Sequence, residues 1–160
     1  IYFFNLLHLK RGEGIYQPAG LPHAYLEGQN VEIMANSDNV LRAGLTDKHI
    51  DIDELMKHVQ FTATNPQILP AGQKEKETFY KSPAEEFELS RLQLEKGDAH
   101  HWQSTGPEVV LILNGEINID AAQVALTLKK GEAAYILPSA SVKVQATSPA
   151  MVFRAVVPNG

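Results

Sequence analysis

His23 stands behind Gly12, Pro18, Gly20 and Pro22 in the stretch GEGIYQPAGLPHAYL. An imidazole presented by so stiff a turn suits metal ligation, yet one ligand does not hold a metal. Either its partners lie elsewhere or His23 is a turn residue. Further on, Arg42 offers a guanidinium that can stabilise a developing anion or hold a charged substrate. Its plain alternative is a salt bridge to Asp38 or Asp47. Toward the C-terminus His100-His101 stand near Glu108 and Gly115, a set that looks metal-like. Among these residues no Ser-His-Asp arrangement can be argued. The pieces GEIN, KKGE and NGE read as turns, because no Gly-rich strand-to-helix context makes them phosphate loops.

Composition limits the classes of function. The chain has 160 residues, 44% of them hydrophobic, enough for a real core in one domain or two small ones. Its formal charge is −5, and Lys and Arg are scattered, which argues against a nucleic-acid partner. The absence of cysteine excludes disulfides and thiolate metal sites and fits a cytoplasmic protein. No apolar run reaches membrane-spanning length, so no membrane partner is expected. The opening IYFFNLLHLKRGEG reads as a strand already under way, which implies a chain cut inside a domain.

The elements that must position these residues are mostly short strands. Phe3 to Leu9, Ile15-Tyr16 and Val31 to Met34 are β-like runs. One helix is expected near 51–58, with Asp51 as N-cap, Glu54 as capping-box partner, and Leu55, Met56 and Val59 as its buried face. Residues 61–86, with Pro66, Pro70, Pro83 and the charged run around Lys74 to Glu77, read as a connection. Strands then recur through 87–94, 109–113, 117–119, 124–128, 133–137, 142–144 and 151–157. The apolar phase slips between Leu89 and Leu92, which suggests a bulge or a sheet change, and Asn114-Gly115 signals a type I′ hairpin. Many short strands with Gly and Pro turns mean a sandwich or barrel, with a jelly roll and an Ig-like sandwich both open on spacing alone.

The order Gly12, five residues, Pro18, one residue, Gly20, two residues, His23 resembles the second motif of the cupin superfamily. The fold class this implies is all-β, a cupin-like double-stranded β-helix (jelly roll) with one short helix. Next to it, PHAYLEG and EIMANSDNVLRAGLTDKHIDIDEL resemble the type I mannose-6-phosphate isomerases, with NSDNVLRAGLT (36–46) the most specific piece. The resemblance implies residues 1–60 as the C-terminal half of a catalytic barrel, 61–86 as a connection and 87–160 as a second, metal-free barrel. It implies zinc as cofactor, held by a Gln, two His and a Glu, of which His23 is one and the rest lie upstream. It makes Arg42 an active-site residue in the interconversion of an aldose phosphate and a ketose phosphate through a cis-enediol.

The same resemblance puts Glu32 and Tyr25 in matching positions, lining the same pocket. Glu32 is the candidate for moving the proton between C1 and C2, and Tyr25 contacts substrate or else packs in the core. Lys48 is placed to attract phosphate or is simply exposed, while Asn36 and Asp38 read as turn formers. Asp47 departs from the proline common after AGLT. In the second barrel Trp102 and Ser104 occupy the places of a His-x-His pair before Glu108, and Val142 that of the later histidine. His100 and His101 are therefore read as exposed loop residues. The partner implied is a phosphosugar, and the apolar open edges of residues 1–34 imply self-association of this piece. A non-enzymatic sugar-binding or regulatory cupin module is the alternative from another class. An iron-dependent oxygenase would need further ligands in phase with His23.

Overall fold

The computed structural model describes residues 4–37, 40–44, 46–70 and 76–158. Among these residues the regular elements begin with β1 (Gly14–Ile15), α1 (Ile52–His58) and β2 (Ile68–Leu69). The larger strands follow as β3 (Glu77–Tyr80), β4 (Glu88–Leu94), β5 (Ala99–Gln103), β6 (Glu108–Asn114) and β7 (Glu116–Ala121). Then come β8 (Val124–Lys129), β9 (Ala133–Ile136), β10 (Ser141–Ala146) and β11 (Ala150–Val156).

Two antiparallel sheets carry the fold, in the orders β3-β4-β11-β6-β9 and β5-β10-β7-β8. From β4 to β7 each successive strand changes sheet, and β7-β8 is the one hairpin between consecutive strands of the four-stranded sheet. This is the jelly-roll order, and it resolves the choice that spacing left open. A single apolar cluster draws on both sheets, with Leu92, Ile112 and Val152 from one and Ile117, Val142 and Val144 from the other. Strand β10 shows why the sequence folds this way: Val142, Val144 and Ala146 point in while Ser141, Lys143 and Gln145 point out. All-β character with a single short helix is as expected.

Several local expectations are corrected. Asn114-Gly115 is not a hairpin, because β6 pairs with β11 and β9 while β7 pairs with β10 and β8. Gly115 instead turns a corner between sheets at φ 79°, and a Cβ there would lie 2.2 Å from the Pro149 carbonyl oxygen. The hairpin falls at Ala122-Gln123, both at positive φ, a turn that no glycine marks. Strand β4 has no bulge; its register against β11 is continuous from Glu88 to Leu94. The phase slips because β4 is covered on both faces, with Ser90, Arg91 and Leu92 all buried. The irregularity lies instead in β11, between Met151 and Val152.

The first 70 residues are less regular. Phe4 to Leu9 and Val31 to Met34 form no strand among the described residues, and Leu6 is 79% exposed. Their apolar runs meet no ladder partner, and an extended segment without one is not a strand. Helix α1 forms as expected: the Asp51 carboxylate accepts from the Glu54 N–H at 2.9 Å. The return half of the capping box is absent, since Glu54 pairs with Lys57 and His58 instead. No residue of α1 is buried, and Met56, expected on the inner face, is 57% exposed. The stretch 61–86 holds β2 and β3, and β3 is the edge strand of the five-stranded sheet.

Candidate functional site

Two braces fix the turn before His23. At its start the Tyr80 hydroxyl of β3 donates to the Gly12 carbonyl at 2.8 Å, and the Tyr80 ring lies against Gly14. Farther along, the chain leaving α1 meets Ala19-Gly20: the Gln60 N–H donates to the Gly20 carbonyl at 2.9 Å, and its side-chain amide donates to the Ala19 carbonyl at 3.2 Å. Gly20 has φ 77°, and a Cβ would stand 2.7 Å from the His58 carbonyl oxygen. Glycine is therefore required by both conformation and contact.

His23 itself is exposed. Its Nδ1 donates to the Leu21 carbonyl at 3.0 Å, which leaves Nε2 with its lone pair free. That is the tautomer in which a histidine ligates a metal through Nε2, oriented by a carbonyl behind it. The Tyr25 ring meets His23 edge-on, with centroids 6.0 Å apart and planes at 69°. The Tyr25 hydroxyl donates to Glu32 Oε1 at 3.3 Å. Partial burial, and then the Glu32 charge, hold the phenol above its ordinary value of 10.0. His23, Tyr25 and Glu32 thus form one continuous chain of contacts.

Arg42 and Lys48 are not tied to that chain by any ion pair, hydrogen bond or ring contact among the described residues. Both are exposed, and the Lys48 backbone N–H donates to the Thr46 hydroxyl at 3.2 Å. Asp47 makes no ion pair with Arg42, and Asp38 lies outside the described residues. Asn36 sits in a bend, with the Ser37 N–H bonded to the Ala35 carbonyl across it. No group of three or more His, Asp or Glu side chains spaced to hold a metal occurs among the described residues. A hollow of about 190 Å³ between Ile33 and the outer face of the five-stranded sheet is lined by none of the five candidate residues.

A second polar cluster was not legible as such. His100 is not in a loop: it lies on β5, its side chain is 24% exposed, and its Nε2 donates to Glu77 at 3.0 Å. His101, its neighbour on β5, faces out and is exposed. Glu77 also accepts from the Ser90 hydroxyl and from Arg154 Nη1, each at 2.6 Å. Arg154 Nε approaches Glu108 at 3.1 Å as an ion pair without hydrogen-bond alignment. The Trp102 indole donates to Glu108 at 2.8 Å, and the Arg154 guanidinium lies 4.6 Å from the Trp102 ring centroid. The buried Arg154 cation therefore fills the barrel interior between two carboxylates. Its sequence signal is an arginine in the middle of the apolar run MVFRAVV.

A two-sheet jelly roll preceded by a braced, histidine-bearing turn is the class that fold and site define. Over nearly its whole length the chain is similar to a portion of the mannose-6-phosphate isomerases. It is 35% identical over 156 residues to mannose-6-phosphate isomerase 1 of Arabidopsis thaliana, covering 96% of this chain and 36% of that one. The Bos taurus enzyme is 34% identical over 167 residues, covering 97% and 39%. That of Escherichia coli K12 is 36% identical over 139 residues, covering 86% and 35%. The chain thus spans little more than a third of the length of these relatives. No family model matches it. Among solved structures, an RmlC-like cupin from Shewanella frigidimarina overlays 49% of this chain and 71% of its own at TM-score 0.45 and 12% identity. The EutQ protein of Clostridium difficile does so over 51% and 66% at TM-score 0.46 and 12% identity. No helix among the described residues is long and apolar enough to cross a membrane.

Proposed function

We propose that this chain is part of a cytoplasmic, zinc-dependent aldose–ketose isomerase that interconverts mannose 6-phosphate and fructose 6-phosphate. The observation that carries the reading is the similarity to mannose-6-phosphate isomerases across 96% of the chain. His23 contributes one zinc ligand through Nε2, and the remaining ligands belong to the part of the relatives that this chain does not span. The residues present fit such a role: a free Nε2 backed by a carbonyl, with oxygen groups adjacent. Bound zinc supplies Lewis acidity toward the sugar oxygens.

The chain's own residues divide the rest of the work. Glu32 takes the proton from one of the two carbons, C1 or C2, and returns it to the other, while the hydroxyl proton passes between O1 and O2 in the same sense. The Tyr25 hydroxyl, bonded to Glu32, orients that carboxylate and contacts the sugar. Arg42 stabilises the negative charge that develops on the sugar oxygens as the enediol forms, and Lys48 attracts the phosphate. Arg42→Ala in the full-length protein is expected to lower turnover by about 10²–10³ with the fold intact, the usual cost of losing a charge partner in the transition state. A kcat assay on mannose 6-phosphate, with circular dichroism as the fold control, tests this. Normal isomerisation by the variant would remove Arg42 from the mechanism, and unfolding would assign it a structural role.

A further inference from the structure

The jelly roll and the His23 turn meet at one strand, β3. Its first residue, Glu77, is anchored in the barrel by Ser90 from β4, Arg154 from β11 and His100 from β5. Its last residue, Tyr80, faces the opposite way and is 9% exposed. A Cβ on Gly14 would lie 2.9 Å from Tyr80 Cδ1 and 3.3 Å from Cε1. Both atoms belong to a ring that cannot swing aside, because it is buried and its hydroxyl is bonded to the Gly12 carbonyl. Gly14 therefore has no room for a side chain, although its own φ is not in the left-handed region. From Gly14 the chain runs through β1, held to β2 by the pairs Gly14–Leu69 and Ile15–Ile68, to the Pro18–Gly20 bend and His23.

We propose that Tyr80 is a positioning residue through which the jelly roll sets the orientation of His23, by clamping the Gly12–Gly14 turn under its ring and hydroxyl. Only the use to which the oriented imidazole is put rests on the isomerase reading. The clamp itself is a property of these 160 residues. It gives the jelly roll a part in the site although none of its strands carries a candidate catalytic group.

The test needs no activity. In the 160-residue chain, Tyr80→Phe keeps the ring and removes the bond to Gly12, whereas Gly14→Ala presses a methyl group into the ring. Hydrogen exchange at residues 12–23 is expected to quicken about tenfold in each variant, while amides of β4, β6 and β11 keep their protection. The His23 ring resonances are expected to move in both. Combining Gly14→Ala with Tyr80→Ala should be less harmful than the two single effects added, because the methyl then has space. Unchanged His23 resonances and unchanged exchange in Tyr80→Phe and Gly14→Ala would overturn the clamp, as would strict additivity in the double variant. Loss of isomerisation in the full-length protein plays no part in these readouts, so a failure of the clamp and a failure of the isomerase reading remain distinguishable.

Discussion

At the scale of single residues, the site is a matter of which atoms are left free. His23 commits Nδ1 to a carbonyl and keeps Nε2 available, and Glu32 commits one oxygen to Tyr25 and keeps the other. Tyr80 is the opposite case, a phenol held by burial above its ordinary value of 10.0, with the nearby Arg91 charge only partly offsetting this. A folded value above the unfolded one gives stability that is complete below pH 10 and is lost as pH rises through the folded value. Urea midpoints measured between pH 9 and 11 are therefore expected to fall in the wild-type chain and to fall less in Tyr80→Phe. An equal fall in both would contradict the assignment. The sequence offers candidates by residue type, His23 from motif spacing and Tyr25, Glu32 and Arg42 from the resemblance to the isomerases. Contacts are not legible in this way, because a hydrogen bond such as that of Tyr80 to Gly12 spans 68 positions and leaves no local pattern.

At the scale of elements, legibility followed the apolar pattern. Strand β10 announces itself by alternation, with Val142, Val144 and Ala146 on one face, and β6 and β11 by their nearly continuous apolar runs. Strand β5 does not, because its inward positions are His100 and Trp102, held by Glu77 and Glu108, and Ser104 just past its end is held by the Leu137 carbonyl. The corner at Gly115 imitates a hairpin for the same reason: a local turn signal fixes the bend but not which strand pairs with which. The Arg154 network makes a quantitative claim about these elements. Arg154→Met leaves Glu77 and Glu108 buried without their cation, and breaking a buried pair in this way costs about 3–5 kcal/mol. Chemical denaturation of the 160-residue chain measures it. A loss below about 1 kcal/mol would mean that the carboxylates find other partners and that the network does not hold β3.

At the scale of the whole molecule, the chain divides into a jelly roll with its own core and a leading segment rich in exposed apolar side chains. Phe4, Leu6, Leu26, Met34, Ile52, Met56 and Phe61 all face outward. So many large exposed apolar side chains within one segment favour association with a partner. The 160 residues by themselves are expected to self-associate in sedimentation experiments and to show no turnover of mannose 6-phosphate even with zinc added, since the described residues offer no complete ligand set. A monomeric, active chain would contradict both. The exposure of the leading segment was not visible in the sequence, because a β-like run such as Phe4 to Leu9 does not reveal whether a ladder partner covers it. The central claim is that His23 is a zinc ligand of an isomerase, and the most direct measurement is zinc content with turnover in the full-length protein, wild type against His23→Ala. The account predicts that the variant loses both zinc retention and isomerisation while remaining folded; a variant that keeps a full complement of zinc and full turnover would make His23 a turn residue and nothing more.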